Sequence, residues 1–282
     1  MIESTQPATS TEVARHYDQL DRFYREIWGD HVHHGLWRTG HETSDEATRA
    51  LLDAVVHKAR LQPGMEVCDV GCGYGHTARI IARENQVRVT GLTISPAQHR
   101  YAEAATLPTD HATFLCEDWL HNQRPSASFD TLIAIESTEH MSDKARVFAE
   151  AARVLKPSGR MVVCAWLAAE KLKPWHQRHL IEPICREGRM PGMGTETEYV
   201  RWMQAAGFHI AEAEDVSAQV ARTWPICAGR FIIGVLRRPG YVRFLLDRQN
   251  DNRIFALTML RLWLAYRIGV MRYVIFAATK GT

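Results

Sequence analysis

The sequence predicts an α/β chain built on a mostly parallel sheet with helices on both faces. Three observations carry that reading. Between positions 65 and 166, short apolar runs alternate with segments of helical periodicity, the pattern of strands joined by right-handed crossovers. A glycine-rich turn, Gly71-Cys72-Gly73-Tyr74-Gly75, separates the first run from the first of those helices. Over 282 residues, 46% apolar and 23% charged side chains are enough for a large buried core. They exclude collagen, a disulfide scaffold and wholesale disorder.

Taken in order, the chain opens on polar residues to about position 11, which are expected to fray. Val13, Tyr17, Leu20, Phe23, Tyr24, Ile27 and Trp28 then fall at helical spacing and predict a helix over 12–28, bounded by Gly29. A His-rich stretch, Asp30-His31-Val32-His33-His34-Gly35, follows. A second helix is expected over 44–59, with Ser44 as N-cap and Pro63-Gly64 beyond its end. Residues 1–60 thus read as an N-terminal helical cap. The core, 61–170, holds strands over 65–70, 87–92, 112–116, 131–135 and 160–166. Between them lie helices over 77–84, 96–105 and 143–155. Ser95 caps the second, with Pro96 in its first turn, and Pro157-Ser158-Gly159 stops the third. Further on come a helix over 195–206 and strands over 210–216 and 273–278. Residues 217–271 are too long for a plain loop and read as a helical insertion before the last strand. The whole, 1–282, is expected to form one domain.

Composition narrows the function. A formal charge of +2 lacks the electrostatic footprint of a nucleic-acid binder, so no nucleic-acid partner is expected. Six cysteines without a CxxC pair suit buried thiols in a reducing compartment, and the cytoplasm is the expected location. No basic stretch followed by an apolar one opens the chain, so no signal peptide is expected. A membrane span needs about 18 uninterrupted apolar residues. The nearest case, 254–278, is interrupted by Arg261, Arg267 and Arg272, so no stable membrane insertion is expected.

The glycine turn points to a cofactor. Glycines let backbone approach a ligand closely, and the helix that follows offers free N–H groups. A dinucleotide fingerprint would read GxGxxG with an acid about 20 residues later. This chain reads GxGxG, with Asp69 two residues before the first glycine. A carboxylate there suits an amino-acid ammonium better than a pyrophosphate; S-adenosylmethionine (SAM) carries such a group and NAD does not. No P-loop motif is present. Thr93-Ile94 ends the second strand, where a ribose would lie, and Asp118-Trp119 follows the third, where an adenine could sit. All these residues stand at carboxyl ends of strands, where open α/β sheets bind ligands.

On these motifs the chain resembles class I SAM-dependent methyltransferases, and within them the gamma-tocopherol C-methyltransferase group with related N- and O-methyltransferases. Tyr17-Asp18, the segment Ile27-Trp28-Gly29-Asp30-His31-Val32-His33-His34-Gly35 and Ile135-Glu136-Ser137-Thr138-Glu139-His140-Met141 with Asp143-Lys144 carry the likeness. Thr223-Trp224-Pro225 and residues 266–280 extend it over almost the whole chain. The resemblance implies a Rossmann-like seven-stranded sheet of order 3-2-1-4-5-7-6 with strand seven antiparallel. It implies SAM contacts at Asp69, Gly71, Gly73, Gly75, Thr93, Ile94, Gln98, Asp118, Trp119 and Ile135, with S-adenosylhomocysteine as product. Thr93 departs from the carboxylate that many class I enzymes place on the ribose, which calls for help from Gln98.

Methyl transfer requires an in-line nucleophile, orientation and exclusion of water, with a general base only for a protonated acceptor. His140 is the preferred base and Glu139 its orienting or charge-stabilising neighbour. The competing reading makes His140 a helix cap and Glu139 a packing or SAM-positioning group. His34 and His33 are candidate alternative base and acceptor contacts. A metal reading of Asp30, His31, His33 and His34 is set aside, because the resemblance folds that segment over SAM and the acceptor. Tyr17, Trp166 and Trp224 complete the expected acceptor site. The insertion, with Trp224, Phe231, Ile232, Ile233, Phe244, Leu245, Leu246, Phe255, Leu257, Leu260, Trp263 and Tyr266, reads either as packed core or as an apolar acceptor pocket. Arg237, Arg238, Arg261 and Arg267 read either as solvated or as contacts to a membrane surface or acidic group. The resulting expectation is methyl transfer to a small apolar aromatic or terpenoid acceptor. The alternative is a SAM-fold enzyme guiding a cyclisation with SAM not consumed. A homo-oligomer is compatible with either.

Overall fold

In the computed structural model, which describes residues 1–28, 32–247 and 255–282, the apolar runs form one seven-stranded sheet. Its strands are β1 (Glu66–Val70), β2 (Arg88–Thr93), β3 (Ala112–Cys116), β4 (Phe129–Ile135), β5 (Leu155–Ala168), β6 (Phe208–Asp215) and β7 (Met271–Lys280). They lie in the order β3-β2-β1-β4-β5-β7-β6, as expected. β1 to β5 pair in parallel, and β7 runs antiparallel to both neighbours.

The two-residue period of the strands divides the core. Val67, Ile133, Val162 and Ile275 face a layer that includes α2 (Ser44–Ala59) and α3 (His76–Asn85). Cys68, Leu132, Val163 and Val274 face the other layer, with α5 (Lys144–Val154) and α7 (Glu196–Ala205). α4 (Pro96–Ala104) follows β2, capped by Ser95 Oγ as the sequence predicts. Between β5 and α7 lies a helical stretch absent from the sequence reading, α6, made of Pro174–His176, a π-helical Gln177–Ile181 and Glu182–Glu187.

Local signals account for several differences from expectation. The first residues do not fray. Ile2–Glu3 pairs antiparallel with Gly192–Met193, and Ser4 N–H donates to the Pro191 carbonyl. α1 begins earlier and spans Ser10–Trp28. The cap of α2 is Thr43 rather than Ser44, because Glu46 stands three residues on and returns a hydrogen bond to the Thr43 backbone. The described residues of the region 217–271 form four helices, as expected of an insertion there: α8 (Ser217–Val220), α9 (Thr223–Arg237), α10 (Pro239–Leu246) and α11 (Phe255–Arg267). No helix among the described residues is long and apolar enough to cross a membrane. All six cysteines are free, and Cys116 alone of them is exposed.

Candidate active site

Two cavities meet beyond the carboxyl ends of β1, β2 and β4. The first encloses about 790 Å³ and is walled by the ends of β1 to β4 and by Ser10, Val13 and Tyr17 of α1. It takes in eight of the ten predicted cofactor residues: Gly71, Gly73, Thr93, Ile94, Gln98, Asp118, Trp119 and Ile135. A smaller extension of about 400 Å³ adds Asp69, with His33, Tyr74 and His76 around it.

The glycine turn is shaped by close approach. Gly71 (φ +80°) donates its N–H to the Leu92 carbonyl, and a Cβ there would lie 2.3 Å from Ser137 Cβ. Gly73 (φ +54°) has nothing within 4 Å of where a Cβ would sit, so its backbone faces open cavity. Gly75, the tenth predicted contact, lines neither cavity. A Cβ there would meet the Phe114 ring at 2.4 Å, so the glycine is required by packing of α3 against β3.

Asp69 is 4% exposed and forms no ion pair among the described residues. Burial pushes its carboxyl up to about 7. A buried carboxylate with no cation beside it and open space in front is matched by an incoming ammonium. The Thr93 hydroxyl accepts the Ser95 N–H and donates to Gln98 Oε1 (2.7 Å). That bond fixes the Gln98 amide so that its NH₂ remains as donor, which suits a ribose hydroxyl. Asp118 accepts from Leu120 N–H and from the Ser10 hydroxyl (2.8 Å). The Trp119 indole is not an open stacking surface: it is 2% exposed, and its N–H donates to the Val147 carbonyl. These groups fit SAM along its length.

The second cavity, about 570 Å³, is mainly apolar and aromatic. Tyr24 and Trp28 of α1, Trp166 of β5, Ile184 of α6, Trp224 of α9 and Leu262 of α11 contribute most of its wall. Tyr17, Val32, Glu136 and His140 belong to both cavities, so they form the partition between them. On that partition Tyr17 Oη and His140 Nε2 share a hydrogen bond of 2.9 Å. Burial, with the charges of His16 and Lys144, pushes His140 down to about 3, so the imidazole is neutral. Asp143, not His140, caps α5.

Three predicted residues stand elsewhere than expected. Glu139 faces neither cavity. It is buried, and its carboxylate accepts the Trp166 backbone N–H, tying the turn after β4 to β5. Burial pushes Glu139 up and Lys144 down, and the Lys144 ammonium donates to the carbonyls of Thr138, Glu139 and Met141. His34 is also off both cavities. Its ring is enclosed by Trp166, Trp224, Tyr266 and Tyr273, and its Nδ1 lies 2.9 Å from Glu136 Oε2. His33 lies at the Asp69 end rather than against the acceptor cavity, and its Nδ1 bonds the His34 carbonyl. His33 and His34 therefore turn to different partners. Asp30 and His31 lie outside the described residues, among which no three potential ligands gather to hold a metal.

The residue that sequence reasoning passed over is Glu136. Its backbone is left-handed (φ +53°), which aims the carboxylate back under the partition. There it accepts from His34 N–H, the Trp166 indole N–H (3.0 Å) and the Tyr273 hydroxyl (2.7 Å), besides the His34 ring. Burial alone would raise its pKa, but the His34 contacts outweigh that and hold it at about 2. Met190 and Gly188, after α6, were missed because that stretch carries no clear periodicity. Within the insertion the helical phase decides. Leu262 faces the cavity while Leu260 and Trp263 are exposed, and Ile232, Ile233 and Leu246 also point outward. Phe231 and Phe244 are packed as core, and the side chains of Phe255 and Leu257 lie outside the described residues.

Comparison with known proteins agrees with this geometry. Residues 4–232 match the family described as mycolic acid cyclopropane synthetase. The chain is 30% identical to tocopherol O-methyltransferase, chloroplastic, of Arabidopsis thaliana, over 97% of this chain and 84% of that one. It is 33% identical to 27-O-demethylrifamycin SV methyltransferase of Amycolatopsis mediterranei (strain S699), over 79% of this chain and 83% of that one. Among solved structures, the [4+2]-cyclase SpnF superposes with a TM-score of 0.80 at 25% identity, covering 100% of both chains. The cyclopropane synthase MmaA2 of Mycobacterium tuberculosis shares the fold, with a TM-score of 0.84 at 22% identity over 98% of this chain and 100% of that one. Matched by that family model over residues 4–232 and at least 30% identical to two small-molecule methyltransferases over most of its length, the chain belongs to the mycolic acid cyclopropane synthetase family and is a SAM-dependent methyltransferase of small molecules.

Proposed function

We propose that the chain methylates an oxygen, nitrogen or carbon of a small apolar aromatic or terpenoid acceptor seated in the aromatic cavity. The observation that carries this reading is the shared partition: one wall, bearing Tyr17 and His140, bounds both the SAM-shaped cavity and the aromatic one. When bound, SAM supplies an electrophilic methyl group on a sulfonium. Asp69 holds the ammonium, and Thr93 and Gln98 take the ribose hydroxyls. Asp118 serves the adenine side, with Ile135 on the floor. Trp166 and Trp224 seat the acceptor ring, and the cap (1–60) and lid (217–271) exclude water.

For a hydroxyl or amine acceptor, the Tyr17–His140 pair accepts the departing proton. The imidazole becomes charged only as the positive charge of the sulfonium disappears, so the charge of the site is conserved across the step. This offsets the burial that otherwise disfavours imidazolium. Glu136 and His34 hold the partition in place from behind. Relatives named for tocopherol, for 2-methyl-6-phytyl-1,4-hydroquinone and for 27-O-demethylrifamycin SV support a small-molecule acceptor. The free cysteines are compatible with a reducing compartment such as the cytoplasm.

The test is transfer from methyl-labelled SAM to a panel of phenols, prenylated quinols, indole amines and prenyl diphosphates. Label on a product supports the reading, and its position identifies the atom methylated. A second reading, a cyclisation with SAM not consumed, is supported by the end-to-end similarity to the [4+2]-cyclase SpnF. Turnover of a polyene substrate with SAM recovered intact would favour that reading and overturn the first.

A further inference from the structure

Apolar side chains on the lid are distributed on two faces. Of the twelve large apolar side chains exposed among the described residues, eight lie between positions 232 and 268. Leu236 is 80% exposed and Leu246 74%, values expected of a charged surface residue rather than of leucine. α9 explains the pattern: Trp224, Cys227, Phe231 and Gly234 are buried on its inner side, while Ile232, Ile233 and Leu236 cover its outer side. A helix apolar on both faces meets an apolar environment on both. Between the end of α9 and α10 lies an open groove whose wall includes Leu236, Val242 and Leu246, with Arg237 and Arg243 between them. α11, packed against α9, adds exposed Leu260 and Trp263, with the Arg267 guanidinium 5.5 Å from the centre of the Trp263 ring.

We propose that this outer face of the lid docks on an anionic lipid bilayer, lying on the surface with its leucines and isoleucines below the headgroups and its arginines among them. Charge decides between occupants. Arg237, Arg243 and Arg267 are exposed, and Arg238 is half-committed to Glu26 of α1. Among the described residues, the one acid of the groove is Asp247, at its end. A second copy meeting this face about a two-fold axis would bring arginine against arginine. A negatively charged membrane surface complements the arginines and takes up the apolar groups at the same time. Trp263 with Arg267 is a pairing suited to the headgroup boundary.

The docking face stands on these exposed residues alone; its use for delivering an acceptor rests on the apolar-acceptor reading above. The same helices carry Trp224, Thr258 and Leu262 on the aromatic cavity, so a docked lid would place that cavity one helix diameter, about 10 Å, from the bilayer.

The experiment is co-sedimentation of the full chain with vesicles of phosphatidylcholine alone, or with about one-third phosphatidylglycerol, at low and high salt. It compares the unaltered chain with Leu236→Glu/Leu246→Glu and Arg237→Glu/Arg243→Glu, none of which lines the two cavities. Calorimetric SAM affinity serves as the control for folding, and light scattering gives the mass in solution. The expected result is binding to the anionic vesicles that salt weakens, with each double variant binding at least about tenfold more weakly and SAM affinity unchanged. Absence of binding to either vesicle, or variants that bind like the unaltered chain, overturns the proposal. So does a dimer in solution that the leucine variant splits while vesicle binding is absent, which would assign the face to a second copy. Vesicle binding without label on any apolar acceptor leaves the docking face established and removes the acceptor reading instead.

Discussion

The Glu136 carboxylate holds both the backbone N–H of His34, at 2.7 Å, and its ring Nδ1, at 2.9 Å, across 102 positions of sequence. Through this pair the loop that follows α1 is fastened to the end of β4, the same strand end that carries the partition between the two cavities. Glu136→Gln replaces an acceptor oxygen with an NH₂ group that faces donors. Loss of about 1–3 kcal/mol of stability is expected, since buried donors lose their charged acceptor. The carboxyl is held at about 2, below its ordinary 4.5, so its contribution is complete above about pH 4.5 and is lost as pH falls towards 2. Denaturant titrations across acid pH should show this slope in the unaltered chain and a flatter one in Glu136→Gln. Equal slopes would assign acid sensitivity to other groups.

SAM affinity should depend on pH through Asp69. Its carboxyl is raised to about 7, and it binds an ammonium only when ionised. Affinity is therefore full above about pH 7 and falls below it, approaching tenfold per unit once the carboxyl is mostly protonated. Calorimetry in buffers of different ionisation enthalpy should register a proton released on binding near pH 6. Asp69→Asn should bind weakly and without this dependence. A dissociation constant that is flat through this range in the unaltered chain would remove Asp69 as the ammonium partner.

His140→Ala should slow transfer to a hydroxyl or amine acceptor by about 10²-fold, the scale of general-base assistance, while SAM affinity stays within about twofold. Tyr17→Phe should show a smaller loss of the same kind. Because His140 is held at about 3, it stays neutral as pH falls through the ordinary histidine range. Any acid limb of kcat/KM near pH 7 should then disappear in Asp69→Asn and survive in Tyr17→Phe. Undiminished turnover of a phenol by His140→Ala would exclude the base assignment.

The two glycines of the cofactor turn should fail differently. Gly73→Asp places a carboxylate in open cavity and strains a left-handed backbone, so SAM binding should vanish while the fold persists. Gly71→Ala drives a methyl group into Ser137, whose hydroxyl donates to the Val70 carbonyl, so stability should fall together with SAM binding. Thermal melts beside calorimetry separate the two outcomes. A Gly73→Asp chain with ordinary SAM affinity would contradict the cofactor placement.

The sheet was legible because each parallel strand is a short apolar run bounded by its own turn signals, and the order followed from family likeness at Asp69 to Gly75 and Ile135 to Met141. The residues lining the first cavity were legible for a related reason: backbone and short side chains at strand ends are placed by the fold itself. The acceptor side was less so. Glu139 and His140 are adjacent in sequence, yet a turn of 3₁₀-helix over Thr138–His140 points His140 at the cavity and leaves Glu139 on the Trp166 backbone. His34 and Glu136 found each other through tertiary contact that no local spacing encodes. In α11 the identity of the cavity residue depended on helical phase, which placed Leu262 inward and Leu260 outward.

The position of α1 carries one more consequence. Asp18 accepts from the Ser95 hydroxyl, the Ser10 hydroxyl donates to Asp118, and the Tyr74 hydroxyl donates to the Asp21 carbonyl. Each of these latches lands on a loop that flanks the SAM-shaped cavity, so the helix closes over it like a clasp fastened at three points. Exchange of spent cofactor for fresh is then expected to require release of the clasp, which a comparison of single-turnover and steady-state rates would check. The expected outcome is single-turnover chemistry faster than the steady state; equal rates would remove α1 as the gate.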